Sequence, residues 1–333
     1  MAPPTADPST YPSRPPAAAP PTGGAARRRS VAPVVAALAV GLAVFLLYRV
    51  LRGYSLDDIV AAVAAIPAER IALAAGFAAG SYLTLTLFDA LAVRYVGRDL
   101  PYRKIALASF VGLSIGHSIG FAALSSGTLR YRFYSGWGLG AGDVARIIVF
   151  CGTTVGLGLA SLAGTALLVQ PELAARATGL GDSAVRAVAP LCFGAVIAYL
   201  VGTCRVRRVI RVKGWRLPMP PPELAAAQVL VGLLNFTLVA ATLYQVLSAA
   251  GDVDFFSVAA AYAIANVAAL VAHVPGGWGV LEAVVILLLP EIDPIGALIV
   301  YRVVYYLVPF AVGALTLAFA ELGRHRGNRR RPR

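Results

Sequence analysis

The chain has 333 residues, of which 59% are hydrophobic and only 14% charged, a balance that excludes an ordinary soluble domain and fits a polytopic membrane protein. The formal net charge of +13 would suit nucleic acid if it lay on one soluble face. It is instead scattered between and beside apolar runs, which makes it an orienting charge and excludes a nucleic-acid partner.

Residues 1–30 are rich in Pro and Ala and hold little large apolar surface, so they read as a disordered cytoplasmic tail ending in Arg27-Arg28-Arg29. Full crossings are expected at about 31–51, 71–96, 144–169, 185–204, 224–249 and 294–320, each near the roughly 20 residues that traverse about 30 Å of hydrocarbon. Between the first two, Ser55-Leu56-Asp57-Asp58 opens a short amphipathic stretch with a serine N-cap, read as an interfacial helix. Two further apolar segments, 105–130 and 255–290, are interrupted. The first is expected to break at Gly116-His117 and the second at His273-Val274-Pro275-Gly276-Gly277, because glycine and proline loosen a helix and free backbone groups. The transmembrane domain is taken as 31–322, followed by a basic cytoplasmic tail at 323–333. Cys151, Cys192 and Cys204 lie in apolar runs without C-x-x-C spacing and read as small core residues.

Loop charge sets the orientation. Arg205, Arg207, Arg208, Arg211, Lys213 and Arg216 belong with both termini on the cytoplasmic side, whereas Asp57, Asp58, Glu69, Glu172, Asp182, Asp252, Asp254, Glu291 and Asp293 mark external loops. Arg94, Arg98, Arg103 and Lys104 precede the segment 105–130, and Arg130, Arg132 and Arg146 follow its break. That segment must therefore enter and leave on the cytoplasmic face, while 255–290 enters and leaves outside. The expected architecture is an all-α polytopic integral membrane protein: an inverted-repeat, transporter-like bundle of about six full crossings plus two re-entrant helical hairpins. Repeat one covers about 71–169 and repeat two about 224–320. Sequence echoes agree, pairing Gly127-Thr128-Leu129-Arg130 with Gly279-Val280-Leu281-Glu282, and Arg146-Ile147-Ile148-Val149-Phe150 with Arg302-Val303-Val304-Tyr305-Tyr306.

Paired broken segments point to a transported substrate near the bilayer midplane. A charge at that depth costs about 2.5–3.5 kcal/mol on insertion scales, so each one requires a role. Arg130 and Arg302 are the leading candidates to hold a lipid phosphate, because guanidinium offers a planar, permanently charged fork. Glu282 and Asp89 either pair with these arginines or receive a cationic headgroup or a proton; a structural ion pair is the alternative for Asp89. Arg146, Arg132, Tyr131, Tyr305, His117 and His273 complete the candidate binding set, with Arg132 and its aromatic neighbours alternatively an interfacial anchor. His117 and His273 are expected to hydrogen-bond backbone opened at the breaks, since no Cys or carboxylate stands at ligand spacing beside them. Asn235 and Asn266 either join helices or line the cavity. No nucleotide-binding loop, nucleophile elbow or H-E-x-x-H sequence occurs, so no catalytic residue, cofactor or metal is assigned.

At Leu129-Arg130-Tyr131-Arg132-Phe133-Tyr134, Gly142-Asp143-Val144-Ala145-Arg146, His273-Val274-Pro275-Gly276-Gly277 and Tyr301-Arg302-Val303-Val304-Tyr305-Tyr306, the chain resembles the membrane domain of bacterial lysylphosphatidylglycerol synthase, also called multiple peptide resistance factor. The resemblance covers roughly 31–322 and implies the flippase module of that family, which moves aminoacylated phosphatidylglycerol between leaflets of the bacterial cytoplasmic membrane. Only Glu321 to Arg333 follow the last crossing, so the family's soluble aminoacyltransferase domain is not expected here, and neither is its enzymatic activity. Three functions stand in order: a lipid flippase or scramblase; a non-transporting membrane partner of a separately encoded lipid synthase; and a lipid-modifying enzyme using Asp89 or Glu282 as base. Membrane phospholipid is the expected ligand, and a separate synthase and a second copy of the chain are the candidate protein partners.

Overall fold

A computed structural model describes residues 56–119, 122–178, 182–205, 209–212, 215–272 and 277–329. The elements are α1 (Leu56–Ala65), α2 (Ala68–Tyr95), α3 (Tyr102–Ile119), α4 (Ala122–Gly136), α5 (Ala141–Val169), α6 (Pro171–Thr178), α7 (Asp182–Arg205), β1 (Val209–Val212), β2 (Trp215–Pro218), α8 (Pro222–Leu247), α9 (Phe255–Ala272), α10 (Val280–Leu288), α11 (Ile295–Arg302), a π-helical turn (Val303–Leu307) and α12 (Val308–Arg329). The chain is an all-α polytopic membrane protein, with one short β ribbon among the described residues. Among the described residues, five stretches are long and apolar enough to cross a bilayer: α2, α5, Ala187–Arg205 of α7, α8, and Ile295–Ala320 through α11 and α12. They match five of the six expected crossings to within a few residues. The sixth, 31–51, lies outside the described residues, as do Ser55 and His273.

Local chemistry sets the helix ends. Two prolines open α8, with Glu223 in its first turn, and α2 begins with Glu69 and finishes with Arg94; each charge opposes the partial charge of its helix terminus. Asp254 caps α9, accepting the backbone N–H groups of Phe256 at 2.9 Å and Ser257 at 3.0 Å while the Ser257 hydroxyl donates to its other oxygen. Burial opposes ionisation of the Asp254 carboxyl, but these hydrogen bonds outweigh it and hold its pKa below the ordinary value.

The most extensive helix contact is α2 against α8, the opening crossings of the two expected repeats. Polar rungs join them. Arg70 donates to Gln245 Oε1 at 2.9 Å, and the hydroxyls of Ser81 and Thr84 donate to Asn235 Oδ1 at 2.8 and 2.9 Å. Asn235 is thus an interhelical hydrogen-bonding residue. On the other flank of α8, a Cβ placed on Gly158 of α5 would fall 2.4 Å from the carbonyl carbon of Gly232. The two backbones touch there, an approach that only glycine permits. Gln228, fully buried beside this crossing, donates to Phe150 O at 3.1 Å and Thr154 Oγ1 at 3.0 Å and accepts the Tyr199 hydroxyl. The outer face of α7 exposes Leu191, Ile197 and Val201, as lipid contact requires. Cys204, expected in a core, is exposed at the end of this helix, whereas Cys151 is buried.

Both interrupted segments form helical hairpins, α3 with α4 and α9 with α10. At 1.5 Å per residue the nine residues of α10 extend only about 13 Å, far short of crossing the hydrocarbon alone. One expected break is wrong: α3 runs unbroken through Gly116 and His117 to Ile119. A mid-helix glycine costs about 1 kcal/mol, less than opening backbone hydrogen bonds where no water can replace them. In the second hairpin α9 ends at Ala272 and α10 starts at Val280, with the left-handed Gly277 and Gly279 before it; residues 273–276, where most of the expected break falls, lie outside the described residues. Val209–Val212 and Trp215–Pro218, read only as parts of a charged loop, form the antiparallel ribbon, with Val209, Ile210, Arg211 and Val212 opposite Pro218, Leu217, Arg216 and Trp215.

Candidate functional site

The charged groups singled out in the sequence gather into two separate ion pairs, one on each hairpin. In the first, Asp89 of α2 is wholly buried and accepts four hydrogen bonds. Arg130 of α4 supplies a fork, Nε to Oδ1 at 2.8 Å and NH2 to Oδ2 at 2.7 Å; Ser109 of α3 donates to Oδ2 at 2.7 Å and Tyr134 of α4 to Oδ1 at 3.0 Å. Arg130 also donates to Ser126 at 3.2 Å. Ser126, Arg130 and Tyr134 follow one another at four-residue spacing and so share one face of α4. This pair satisfies the demand that a buried charge be matched and hydrogen-bonded, and it locks three helices together.

In the second pair, Arg302 at the end of α11 donates through Nε to Glu282 Oε1 at 2.8 Å and through NH2 to Glu282 Oε2 at 3.0 Å and Gly277 O at 3.0 Å. Glu282 also accepts the Gly279 N–H at 2.9 Å, closing the first turn of α10. Gly277 and Gly279 both have positive φ, +62° and +78°, and this turn carries Trp278 across the guanidinium. Arg302 lies 4.3 Å from the Trp278 ring centroid and 4.9 Å from that of Tyr306, a double cation–π contact. The side chain of Arg302 is 3% exposed and that of Glu282 26%, so only the carboxylate half of this pair faces open space.

A pocket of about 60 Å³ adjoins Arg302, lined also by Tyr262, Asn266, Ala269, Leu281 and Tyr306. Asn266 donates to Tyr262 O at 2.9 Å, so of the two asparagines it is the one at the cavity. The π-helical turn begins immediately after Arg302. Its widened ring leaves Tyr305 O to accept the Tyr82 hydroxyl at 3.2 Å, while the Tyr305 hydroxyl meets Ser81 at 3.0 Å. The site is thereby connected to the α2–α8 centre. The buried Tyr301 hydroxyl has no hydrogen-bond partner among the described residues.

The remaining candidates are dispersed. Arg146 lies 3.6 Å from Asp143, which also holds the more exposed Arg98; Tyr131 is exposed; Arg132 is half-buried; and His117 contacts the Tyr82 ring. The aligned positions of the sequence echo, Arg130 and Glu282, are both ion-paired residues in the second helix of a hairpin. Their signs are opposite, and the partner comes from the preceding crossing in one case and the following crossing in the other. Sequence reasoning missed Ser109, Tyr134, Trp278, Tyr262 and Tyr306. The four-residue steps from Arg130 to Tyr134 and from Arg302 to Tyr306 were the available signal.

Among the described residues, no group of three or more His, Cys, Asp or Glu is arranged to hold a metal. No family model matches the chain. It is 30% identical over 305 residues to the uncharacterized protein slr0712 of Synechocystis, covering 89% of this chain and 95% of the relative. It is 31% identical over 270 residues to the inner membrane protein YbhN of Escherichia coli, covering 76% and 81%.

Proposed function

Since the chain belongs to the family of the inner membrane protein YbhN, we propose that it is an inner-membrane transporter that moves a phospholipid between leaflets, with Arg302 as the residue that engages the lipid phosphate. The observation carrying this reading is the asymmetry of the second ion pair. Arg302 forms part of the wall of a pocket of mixed polar and apolar lining, its fork oriented by Trp278 and Tyr306, and the carboxylate that occupies the fork is partly exposed. A phosphate diester presents the same bidentate oxygens as that carboxylate, so lipid binding exchanges one anion for another without leaving a buried guanidinium unmatched. The Asp89–Arg130 pair has the opposite character: both members are buried and each is held by further hydrogen bonds. Here it pins the first hairpin, and the second hairpin supplies the binding site.

The inverted orientation expected from loop charge, and the sequence resemblance to the lysylphosphatidylglycerol synthase membrane domain, favour a rocking mechanism between repeats. The lipid is an anionic or aminoacylated phosphatidylglycerol, and the chain transports it without making it. The test is transfer of a fluorescent phosphatidylglycerol across reconstituted vesicles. Arg302→Ala should abolish protein-dependent transfer, and Arg302→Lys should restore part of it, since an ammonium keeps the charge but not the fork. Wild-type transfer by a well-folded Arg302→Ala protein would refute the assignment.

A further inference from the structure

We propose that the Tyr301 hydroxyl is a concealed donor for the lipid phosphate, uncovered when the Tyr306 ring turns aside. The inference rests on the phosphate reading of Arg302 and adds to it a neutral ligand and a moving partition. It starts from an unmet demand. Tyr301 is fully buried and its hydroxyl has no hydrogen-bond partner among the described residues, although buried polar groups are nearly always paired. A phenylalanine would fill the same space without burying an unsatisfied group. The hydroxyl is accounted for by a partner that comes and goes.

Position supplies the second observation. The titratable side chains close enough to act on Tyr301 are Tyr306, Tyr262, Tyr305 and Arg302, and three of these, Tyr306, Tyr262 and Arg302, line the pocket. Tyr301 itself is not part of the lining. The Tyr306 ring stands beside both it and the fork, 6.0 Å from the Tyr301 ring centroid at 76° and 4.9 Å from the guanidinium. That contact with each side makes Tyr306 the partition between the orphan hydroxyl and the pocket.

The third observation is unequal restraint. Tyr305 stacks on Tyr301 with centroids 5.6 Å apart and planes within 3°, and Tyr305 is itself fixed through its hydroxyl against Ser81 and its carbonyl against Tyr82. Tyr301 is thereby held in place. Tyr306 is only half-buried and belongs to the π turn, a widened backbone that recurs at functional sites. Turning its side chain joins the two compartments without disturbing the stacked pair.

Donor number agrees. The Glu282 carboxylate accepts Nε and NH2 of Arg302 and the N–H of Gly279. A phosphate that displaces it gains the fork but not Gly279, which stays with the first turn of α10. Tyr301 supplies the third donor, and being neutral it leaves no unmatched charge when the site empties. A volume of about 60 Å³ has room for a few water-sized groups, so it receives the phosphate while the acyl chains remain in the bilayer.

The test uses the full chain in nanodiscs, titrated with a soluble short-chain phosphatidylglycerol. Tyr301→Phe should weaken binding about tenfold, the loss of one hydrogen bond to a charged group. Its stability, from unfolding in mixed detergent and dodecyl sulfate micelles, should equal or exceed that of wild type, because the hydroxyl removed had no partner. Fluorotyrosine placed at position 301 should show a fluorine resonance that shifts on adding the lipid and does not shift in Arg302→Ala. Without lipid, exchange of water for deuterium oxide should leave that resonance unmoved in wild type and move it in Tyr306→Ala, where the partition is gone. Wild-type affinity or lowered stability in Tyr301→Phe, or no isotope effect in Tyr306→Ala, would overturn the proposal. If Arg302→Ala alone weakens binding, the phosphate reading stands and the concealed donor is refuted; if neither variant does, both fall. An equal fluorine shift with inorganic phosphate keeps the donor and reassigns its ligand to the free anion.

Discussion

Removing one member of the Asp89–Arg130 pair should damage the protein more than removing both. Asp89→Leu leaves the Arg130 guanidinium buried without a matching charge, an arrangement that costs about 3–5 kcal/mol; Arg130→Met strands the carboxylate and should cost a similar amount. In Asp89→Leu/Arg130→Met neither charge remains. Ser109 keeps an acceptor in Leu85 O at 3.0 Å, so the Tyr134 hydroxyl is the main group left wanting, for about 1–3 kcal/mol. The double variant should then be more stable than either single one, a departure from additivity far above the roughly 0.3–0.5 kcal/mol expected of independent sites. Reversible unfolding in mixed detergent and dodecyl sulfate micelles, followed by circular dichroism, supplies all four free energies. An Asp89→Leu cost below about 1 kcal/mol, or single effects that simply add, would refute the reasoning that this pair is a structural lock.

Glu282→Gln keeps the shape beside Arg302 but weakens the competitor for its fork, so inhibition of lipid transfer by a soluble short-chain phosphatidylglycerol should appear at lower concentrations than in wild type; an unchanged inhibition curve contradicts anion exchange. Gly158→Leu forces a side chain into the α5–α8 contact, where even its first carbon would fall 2.4 Å from the facing backbone, and should lower stability by about 1–3 kcal/mol or more in the same unfolding assay. The Asp254 carboxyl has a folded pKa below its ordinary value, so its cap on α9 is in place above the unfolded pKa of about 4 and is lost as pH falls through the lowered one. Hydrogen exchange at Phe256 and Ser257, corrected for intrinsic rates, should accelerate on that acid side in wild type and show no such step in Asp254→Ala. Single cysteines at Ser135 and Gly214, in a cysteine-free background, should both resist an impermeant label applied to intact cells; labelling of either would reverse the orientation drawn from loop charge.

The crossings were legible because length and apolar content suffice in lipid: 71–96 and 224–249 correspond to α2 and α8 with boundaries shifted by no more than three residues. Charge at membrane depth likewise identified Asp89, Arg130, Glu282 and Arg302, since each required a partner. Which carboxylate meets which arginine was not legible, because that depends on how the hairpins pack against crossings distant in sequence. Gly116 misled because glycine permits a break without compelling one, and the surrounding apolar medium favours an intact ladder. The ribbon at 209–218 was hidden by its charges, although the alternation of Ile210, Arg211 and Val212 carried the strand period. The π turn after Arg302 left no compositional trace.

That turn makes the last crossing two helices with independent facings. Ile295–Arg302 ends with Leu298, Val300, Tyr301 and Arg302 all buried, whereas α12 exposes Val308, Val312, Leu315 and Phe319 along a single stripe. One residue more or fewer between Val303 and Leu307 rotates the outer half by about 100° relative to the inner half, swinging the lipid stripe away from the acyl chains. Chimeras between relatives can therefore exchange the segment beyond Leu307 freely only if the length of this joint is conserved, for the joint acts as the indexing pin that keeps the arginine facing inward while the remainder of the helix meets the bilayer.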